Sequence, residues 1–258
     1  MSKKLIAFDL DGTLAPSKSA LPDKMSSLLR QLLQNYEVCV ISGGKFGQFE
    51  MQLLGNLEAS EEELSRLHIM PTCGTRYYRY SPKTKHWQQQ YAEDFTEEEK
   101  RKIIETVNEI VKEFGYDKAK VYGPQIEDRG SQISWSALGQ DIVTELGEEG
   151  VRKKEEWDPT DEKKFALRDA IALKIPEFEV RSGGVTTIDI TKLGIDKSYG
   201  MRKLMEALKI AEDEILFLGD RLQEGGNDYP VLAMGIDCVS VDGWEQTAVA
   251  IDALLKVT

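Results

Sequence analysis

The sequence predicts an α/β chain: a Rossmann-like, doubly wound parallel sheet interrupted by an inserted α+β segment. Three observations carry this. Short apolar runs alternate with amphipathic helical stretches near the start of the chain and again from Lys197 onward, the βαβ signature of a parallel sheet with right-handed crossovers. Between these stretches, strand pairs alternate with two helices, the pattern of an antiparallel sheet with helices on one face. Polar residues also follow the apolar runs at their C-terminal ends, where open α/β sheets bind ligands.

In chain order, the run over 5–8 reads as a central strand ending in Asp9 and Asp11. Pro22-Asp23 opens a helix with Met25, Leu28, Leu29, Leu32 and Leu33 on one face. A strand over 36–41 ends in Ser42-Gly43-Gly44; a helix through 49–54 and a short strand near 68–73 follow. The segments 76–80 and 86–90 form a hairpin expected to leave the core. Thr96 and Glu99 make a capping box for a helix running to Phe114. Strands are expected over 121–127 and 132–138, a helix over 161–173, and strands over 177–181 and 185–190. The acidic stretch 145–156, with Arg152-Lys153-Lys154, reads as a solvated loop. From Lys197 come a helix to Leu208, a strand over 214–218, the loop 219–228, a strand over 237–241 and a closing helix. The expected division is 1–81 with 190–258 for the parallel domain and 82–189 for the insertion.

Composition bounds the function. The 258 residues, 41% hydrophobic, suffice for a sizeable core. A net charge of −12 argues against general affinity for nucleic acid or anionic membrane. Cys39, Cys73 and Cys238 have no paired spacing, so neither a disulfide framework nor a zinc site is expected and a reducing cytoplasm fits. Lys3 and Lys4 lead directly into a strand, unlike a signal peptide, and no segment is long and apolar enough to cross a bilayer.

Doubly wound topology gathers the polar strand ends along one edge: Asp9 and Asp11, Ser42, Lys197, and Asp220 with Asn227-Asp228. Such a set can transfer a phosphoryl group. A carboxylate such as Asp9 can attack phosphorus, and Asp11, two residues on, can protonate the leaving oxygen and later activate water. Asp9 and Asp220 are hard oxygen ligands suited to Mg²⁺. Ser42 and Lys197 can hold phosphate oxygens by hydrogen bond and charge. A receiver domain also groups aspartates with a lysine, but it lacks an acid at the position of Asp11 and an insertion of this size.

The motifs Asp9-Leu-Asp-Gly-Thr13, Ser42, Lys197 and Gly219-Asp220 with Gly226-Asn227-Asp228 resemble the four motifs of the haloacid dehalogenase superfamily, over the whole chain. The insertion stands where that superfamily's C2 caps stand. Asp9 to Pro16, Arg129 to Gly139, Gly183-Gly184 with Thr187 and Asp189, and Gly194 to Lys197 look closer still to the eukaryotic-type phosphomannomutase family. The resemblance implies Asp9 as nucleophile and Asp11 as acid/base, with Ser42, Gly43 and Lys197 on phosphate. It implies Mg²⁺ held by Asp9, the Asp11 backbone carbonyl and Asp220, with Asp228 supporting through water. Arg129, Thr187 and Asp189 are implied as substrate contacts, and the oligomeric state as monomer or cap-mediated homodimer.

Departures from the mutase pattern bear on the reaction. A mutase holds a second phosphate on cap arginines, which bind it bidentately. Arg129 is matched, but the next arginine of that pattern falls at Gln140 and another at Lys18; a third falls near Gly147 unless Arg152 replaces it. Hydrolysis of a phosphorylated sugar or related small metabolite is therefore expected, with a phosphosugar mutase as the alternative. His68, His86, the Tyr77 to Tyr80 stripe and Trp135 are given no chemical role.

Overall fold

In the computed structural model, which describes residues 3–118 and 120–257, the chain divides into two units. The first runs to Ala92 and resumes at Asp196; the second is Glu93–Ile195.

The elements of the first unit's leading part are β1 (Leu5–Phe8), α1 (Asp23–Asn35), β2 (Glu37–Ile41), α2 (Phe46–Gln52), α3 (Glu61–Ser65), β3 (Leu67–Met70), β4 (Arg76–Ser81) and β5 (His86–Ala92). The second unit holds α4 (Glu97–Glu113), β6 (Ile126–Asp128), β7 (Ile133–Ser136), α5 (Ile142–Leu146), α6 (Glu148–Trp157), α7 (Glu162–Lys174), β8 (Phe178–Ser182) and β9 (Thr187–Lys192). The chain closes with α8 (Lys197–Leu208), β10 (Ile215–Gly219), α9 (Tyr229–Ala233), β11 (Asp237–Ser240) and α10 (Trp244–Val257).

Among the described residues the first unit carries one seven-stranded sheet, ordered β11-β10-β1-β2-β3-β4-β5. The strands from β11 to β3 pair in parallel, and β4 and β5 add antiparallel. β1 is buried on both faces. Ile6 and Phe8 pack with Met25, Leu29 and Leu32 of α1, while Leu5 and Ala7 belong to the opposite cluster with Met201 and Leu204 of α8. That arrangement makes the sheet doubly wound and explains why β1 reads as an unbroken apolar run.

The hairpin β4–β5 stays with this sheet rather than leaving it, so the first unit extends to Ala92 where the sequence suggested 81. Tyr77 is buried in the core and Tyr78 stacks on Phe46 at 4.1 Å between centroids. The polar run of β5 suits an edge strand with one side in solvent.

The second unit folds around a four-stranded antiparallel sheet, β6-β7-β9-β8. Its strands alternate: Ile133, Trp135, Ile188 and Ile190 pack with Ile103, Val107, Leu167 and Ile171 of α4 and α7. Ser134, Ser136, Thr187 and Asp189 occupy the intervening positions. Thr96 caps α4 with the expected reciprocal box to Glu99. Two expectations change here. The stretch 145–156 is helical, α5 and α6, and the strand expected over 121–127 is confined to β6, because Gly123 at φ +71° and Pro124 turn the chain. β9 runs through Lys192, so the unit ends at Ile195, beyond the expected 189.

Candidate active site

Register sets the site. Phe8 lies opposite Val40 of β2 and Leu218 of β10, so Asp9, Ser42 and Asp220 emerge from three neighbouring parallel strands at their C-terminal ends. The Asp9 amide still bonds the Leu218 carbonyl at 3.0 Å, holding the start of the loop against β10. Gly12 then turns the chain at φ +83°, and a Cβ there would stand 2.7 Å from Asp220 Oδ2. Glycine is thus required for both conformation and space. The same holds for space at Gly219, where a Cβ would meet Asp228 Oδ2 at 2.5 Å.

Lys197 opens α8, whose N-cap Asp196 accepts from the amides of Ser198 and Tyr199 at 2.8 and 3.2 Å. Its fully buried Nζ donates to Asp9 Oδ1 and to Asp228 Oδ1, each at 2.5 Å. Asp228 Oδ2 in turn accepts from the Arg221 amide at 3.0 Å. Burial works against the charge of Lys197, but the carboxylates of Asp228 and Asp9 overcome it and hold the ammonium above its ordinary range. Burial pushes the Asp9 carboxyl well above the usual carboxylate range; Lys197 opposes this, while Asp228 and Asp220 add to it. Asp220 is raised by burial and by Asp228.

Among the described residues, Asp9, Asp220 and Asp228 form the group of carboxylates whose oxygens lie within 4.8 Å of one another. Lys197 pairs with Asp9 and Asp228, the Arg221 guanidinium lies 3.8 Å from Asp220 Oδ2, and Asp220 Oδ1 is buried without a hydrogen-bond partner. An excess of negative charge, an orphaned carboxylate oxygen and an all-oxygen donor set fit a hard divalent cation such as Mg²⁺.

Asp11 stands apart from that group. Its Oδ1 accepts from the Lys18 amide at 2.7 Å and Gln52 Nε2 at 3.1 Å, and its Oδ2 from Gln48 Nε2 at 2.9 Å. The Asp11 side chain, expected among the metal ligands, is not among the gathered carboxylates. Gln48 and Gln52, spaced i and i+4 on α2, were not singled out in the sequence; their spacing just after Ser42-Gly43-Gly44 was the available signal.

Ser42, buried at the end of β2, has its Oγ 3.5 Å from the Gly44 amide, and Gly43 follows in the same loop. Lys18 contributes its backbone amide to Asp11 from a left-handed conformation, φ 54°.

In the second unit, Arg129 Nε donates to Glu127 Oε2 at 2.8 Å. Ser134 Oγ donates to Asp189 Oδ1 across the β7–β9 pairing. Burial raises the Asp189 carboxyl, against the pull of Arg129 and of hydrogen bonds from Ser134 and Gln132. Thr187, two residues before Asp189, accepts from the Gly183 amide through its carbonyl at 2.8 Å. Gln140 is buried and donates toward the Gln125 carbonyl at 3.4 Å, and Arg152 lies exposed on α6.

Comparisons with known proteins agree with this frame. A phosphomannomutase of Encephalitozoon cuniculi is 26% identical, over 98% of this chain and 94% of its own length. One of Schizosaccharomyces pombe is 25% identical, over 89% and 85%. Among solved structures, an IMP-bound, N-terminally truncated IMP-nucleotidase of Plasmodium falciparum superposes with a TM-score of 0.70 at 15% identity, covering 99% of this chain and 68% of that one. A haloacid dehalogenase-like hydrolase of Bacteroides thetaiotaomicron gives 0.63 at 15% identity, covering 98% and 100%. The family model for haloacid dehalogenase-like hydrolases matches residues 6–234, most of the chain, and the protein belongs to that family.

Proposed function

We propose that the protein is a Mg²⁺-dependent phosphatase of a phosphorylated sugar or related small metabolite, acting through an aspartyl-phosphate on Asp9. The observation that carries this reading is the division of labour between two nearby aspartates. Asp9 is bound by the Lys197 ammonium within the carboxylate group, whereas Asp11 is held separately by neutral amide donors.

In the first step a carboxylate oxygen of Asp9 attacks phosphorus, the ester P–O bond breaks, and Asp11 gives its proton to the leaving oxygen. In the second, water attacks the same phosphorus, Asp11 takes its proton, and inorganic phosphate leaves with Asp9 restored. Lys197 fixes the Asp9 carboxylate and meets phosphate charge; Ser42 and the Gly43 amide hold phosphate oxygens. Asp9, Asp220 and the Asp11 carbonyl would hold Mg²⁺, with Asp228 orienting Lys197 and supporting the ion, whose charge neutralises phosphate oxygens. Arg129, Thr187 and Asp189 are proposed to read the hydroxyl-rich leaving group.

A phosphosugar mutase is the second reading, favoured by the phosphomannomutase relatives. Hydrolysis is preferred because Gln140 and Lys18 stand where the mutase pattern has arginine. The test is a Mg²⁺-dependent assay on mannose 1-phosphate and glucose 1-phosphate, with and without a hexose bisphosphate, following free phosphate and the 6-phosphate isomer. Phosphate without isomer supports hydrolysis. Isomer formed only with bisphosphate supports the mutase.

A further inference from the structure

Between β3 and β4 the chain makes a turn that L-residues rarely adopt. Thr72, Cys73 and Gly74 follow one another at φ 51°, 56° and 84°, all left-handed. A β-branched threonine there is a genuine outlier, and such strain persists only where surrounding bonds over-determine it. The bonds are present. Thr75 Oγ1 lies 2.8 Å from the Thr72 carbonyl, to which it donates, and 2.5 Å from Thr72 Oγ1; the Thr75 and Gly74 amides bond the Thr72 and Pro71 carbonyls.

The strained turn reaches two groups of the candidate site at once. Its Cys73 and Thr72 amides donate to the carbonyls of Ser42 and Gly44, each at 2.9 Å, and so clasp both ends of the Ser42-Gly43-Gly44 loop. On the other side, Gly74 presses on Gly200: a Cβ on Gly74 would stand 2.4 Å from Gly200 Cα, and one on Gly200 would stand 2.9 Å from Gly74 Cα. Gly200 lies one helical turn after Lys197 on α8. Tyr91 of β5 fixes the turn from a third side, donating from its hydroxyl to the Gly74 carbonyl at 2.8 Å.

We propose that the left-handed turn Thr72–Gly74 is a positioning element for phosphate, setting the distance between the Ser42–Gly44 loop and the helix that carries Lys197. The proposal rests on the reading of Ser42 and Lys197 as phosphate-holding groups. Thr75, Gly74 and Gly200 are then positioning residues, acting through that loop and that lysine.

The experiment uses the full chain with Mg²⁺ and compares wild type, Thr75→Val, Thr75→Ser and Gly200→Ala. It reads amide hydrogen exchange at Thr72 and Cys73, and affinity for inorganic phosphate by titration calorimetry. Thr75→Val keeps shape and loses the hydroxyl; about tenfold faster exchange and about tenfold weaker phosphate binding are expected, with Thr75→Ser restoring both. Gly200→Ala, at a helix position where alanine is otherwise the better residue, should weaken phosphate binding at least as much. Folded Thr75→Val and Gly200→Ala with wild-type phosphate affinity overturn the proposal, as does faster exchange without weaker binding. Wild type that binds no phosphate overturns the functional reading and this proposal with it; wild type that binds while both variants match it overturns this proposal alone.

Discussion

Nζ of Lys197 stands 2.5 Å from Oδ1 of Asp9, although 188 residues separate the two in the chain. The pair is wholly buried and shared with Asp228. Removing one partner of a buried ion pair leaves charge uncompensated, which destabilises by about 3–5 kcal/mol. Lys197→Met should therefore lower the free energy of unfolding by about 3 kcal/mol or more in metal-free buffer, and should abolish phosphate release. Urea unfolding with and without Mg²⁺ checks this, since a cation bound among Asp9, Asp220 and Asp228 would return part of the lost stability.

Gly12 and Asp220 make a steric prediction. With φ +83° and Asp220 Oδ2 2.7 Å from a virtual Cβ, Gly12→Ala must strain the loop and displace that carboxylate. Activity should fall about a hundredfold or more, and the Mg²⁺ concentration for half-maximal rate should rise. A variant with wild-type rate and Mg²⁺ dependence would show that Asp220 is not held there for the metal.

Gln48 and Gln52 donate side-chain hydrogen bonds to the carboxylate of Asp11. If Asp11 is the proposed acid/base, the double variant Gln48→Leu/Gln52→Leu should lower kcat about tenfold with KM changed less than twofold, because orientation of that group acts on the transition state. Steady-state kinetics on the best substrate decide; a rise in KM at constant kcat would place these glutamines in binding instead.

His68 supplies a pH dependence of stability away from the site. It is fully buried, with Nδ1 2.7 Å from the Tyr77 hydroxyl and Nε2 2.8 Å from Glu37 Oε2. Burial lowers its proton affinity below the ordinary histidine value; the Glu37 hydrogen bond and charge partly offset this. The unfolded chain therefore binds the proton more readily than the native one. Stability from this residue is complete above the unfolded value near 6.5 and is lost as pH falls below it. The urea midpoint should drop between pH 7.5 and 5.5, and the drop should be smaller in His68→Gln.

Much of this was legible in the sequence, for physical reasons that differ by residue. The apolar run before Asp9, the helix opening at Lys197 and the strand before Gly219-Asp220 are local signals, and the doubly wound topology that gathers them follows from βαβ order. Helix α6 was not legible: the dense charge of 145–156 reads as a solvated loop. Gly150 sits there because a Cβ would stand 2.4 Å from the Ile142 carbonyl, where α6 passes α5. The β4–β5 hairpin misled because edge strands carry polar residues wherever they dock; the pairings of His68 with Arg79 and Ile69 with Tyr78 show the sheet they join. The contacts of Gly74 and Gly200 depend on tertiary packing that sequence spacing does not encode.

The proposed mechanism requires Asp9 to carry the phosphoryl group. Acid quenching during turnover of the best phosphorylated sugar, followed by peptide mass spectrometry with and without hydroxylamine, tests it most directly. A hydroxylamine-labile phosphate is expected on the peptide containing Asp9, absent from Asp9→Asn, which stays folded and releases no phosphate. Phosphate release at wild-type rate by Asp9→Asn, or a covalent phosphate on a different residue, would contradict it.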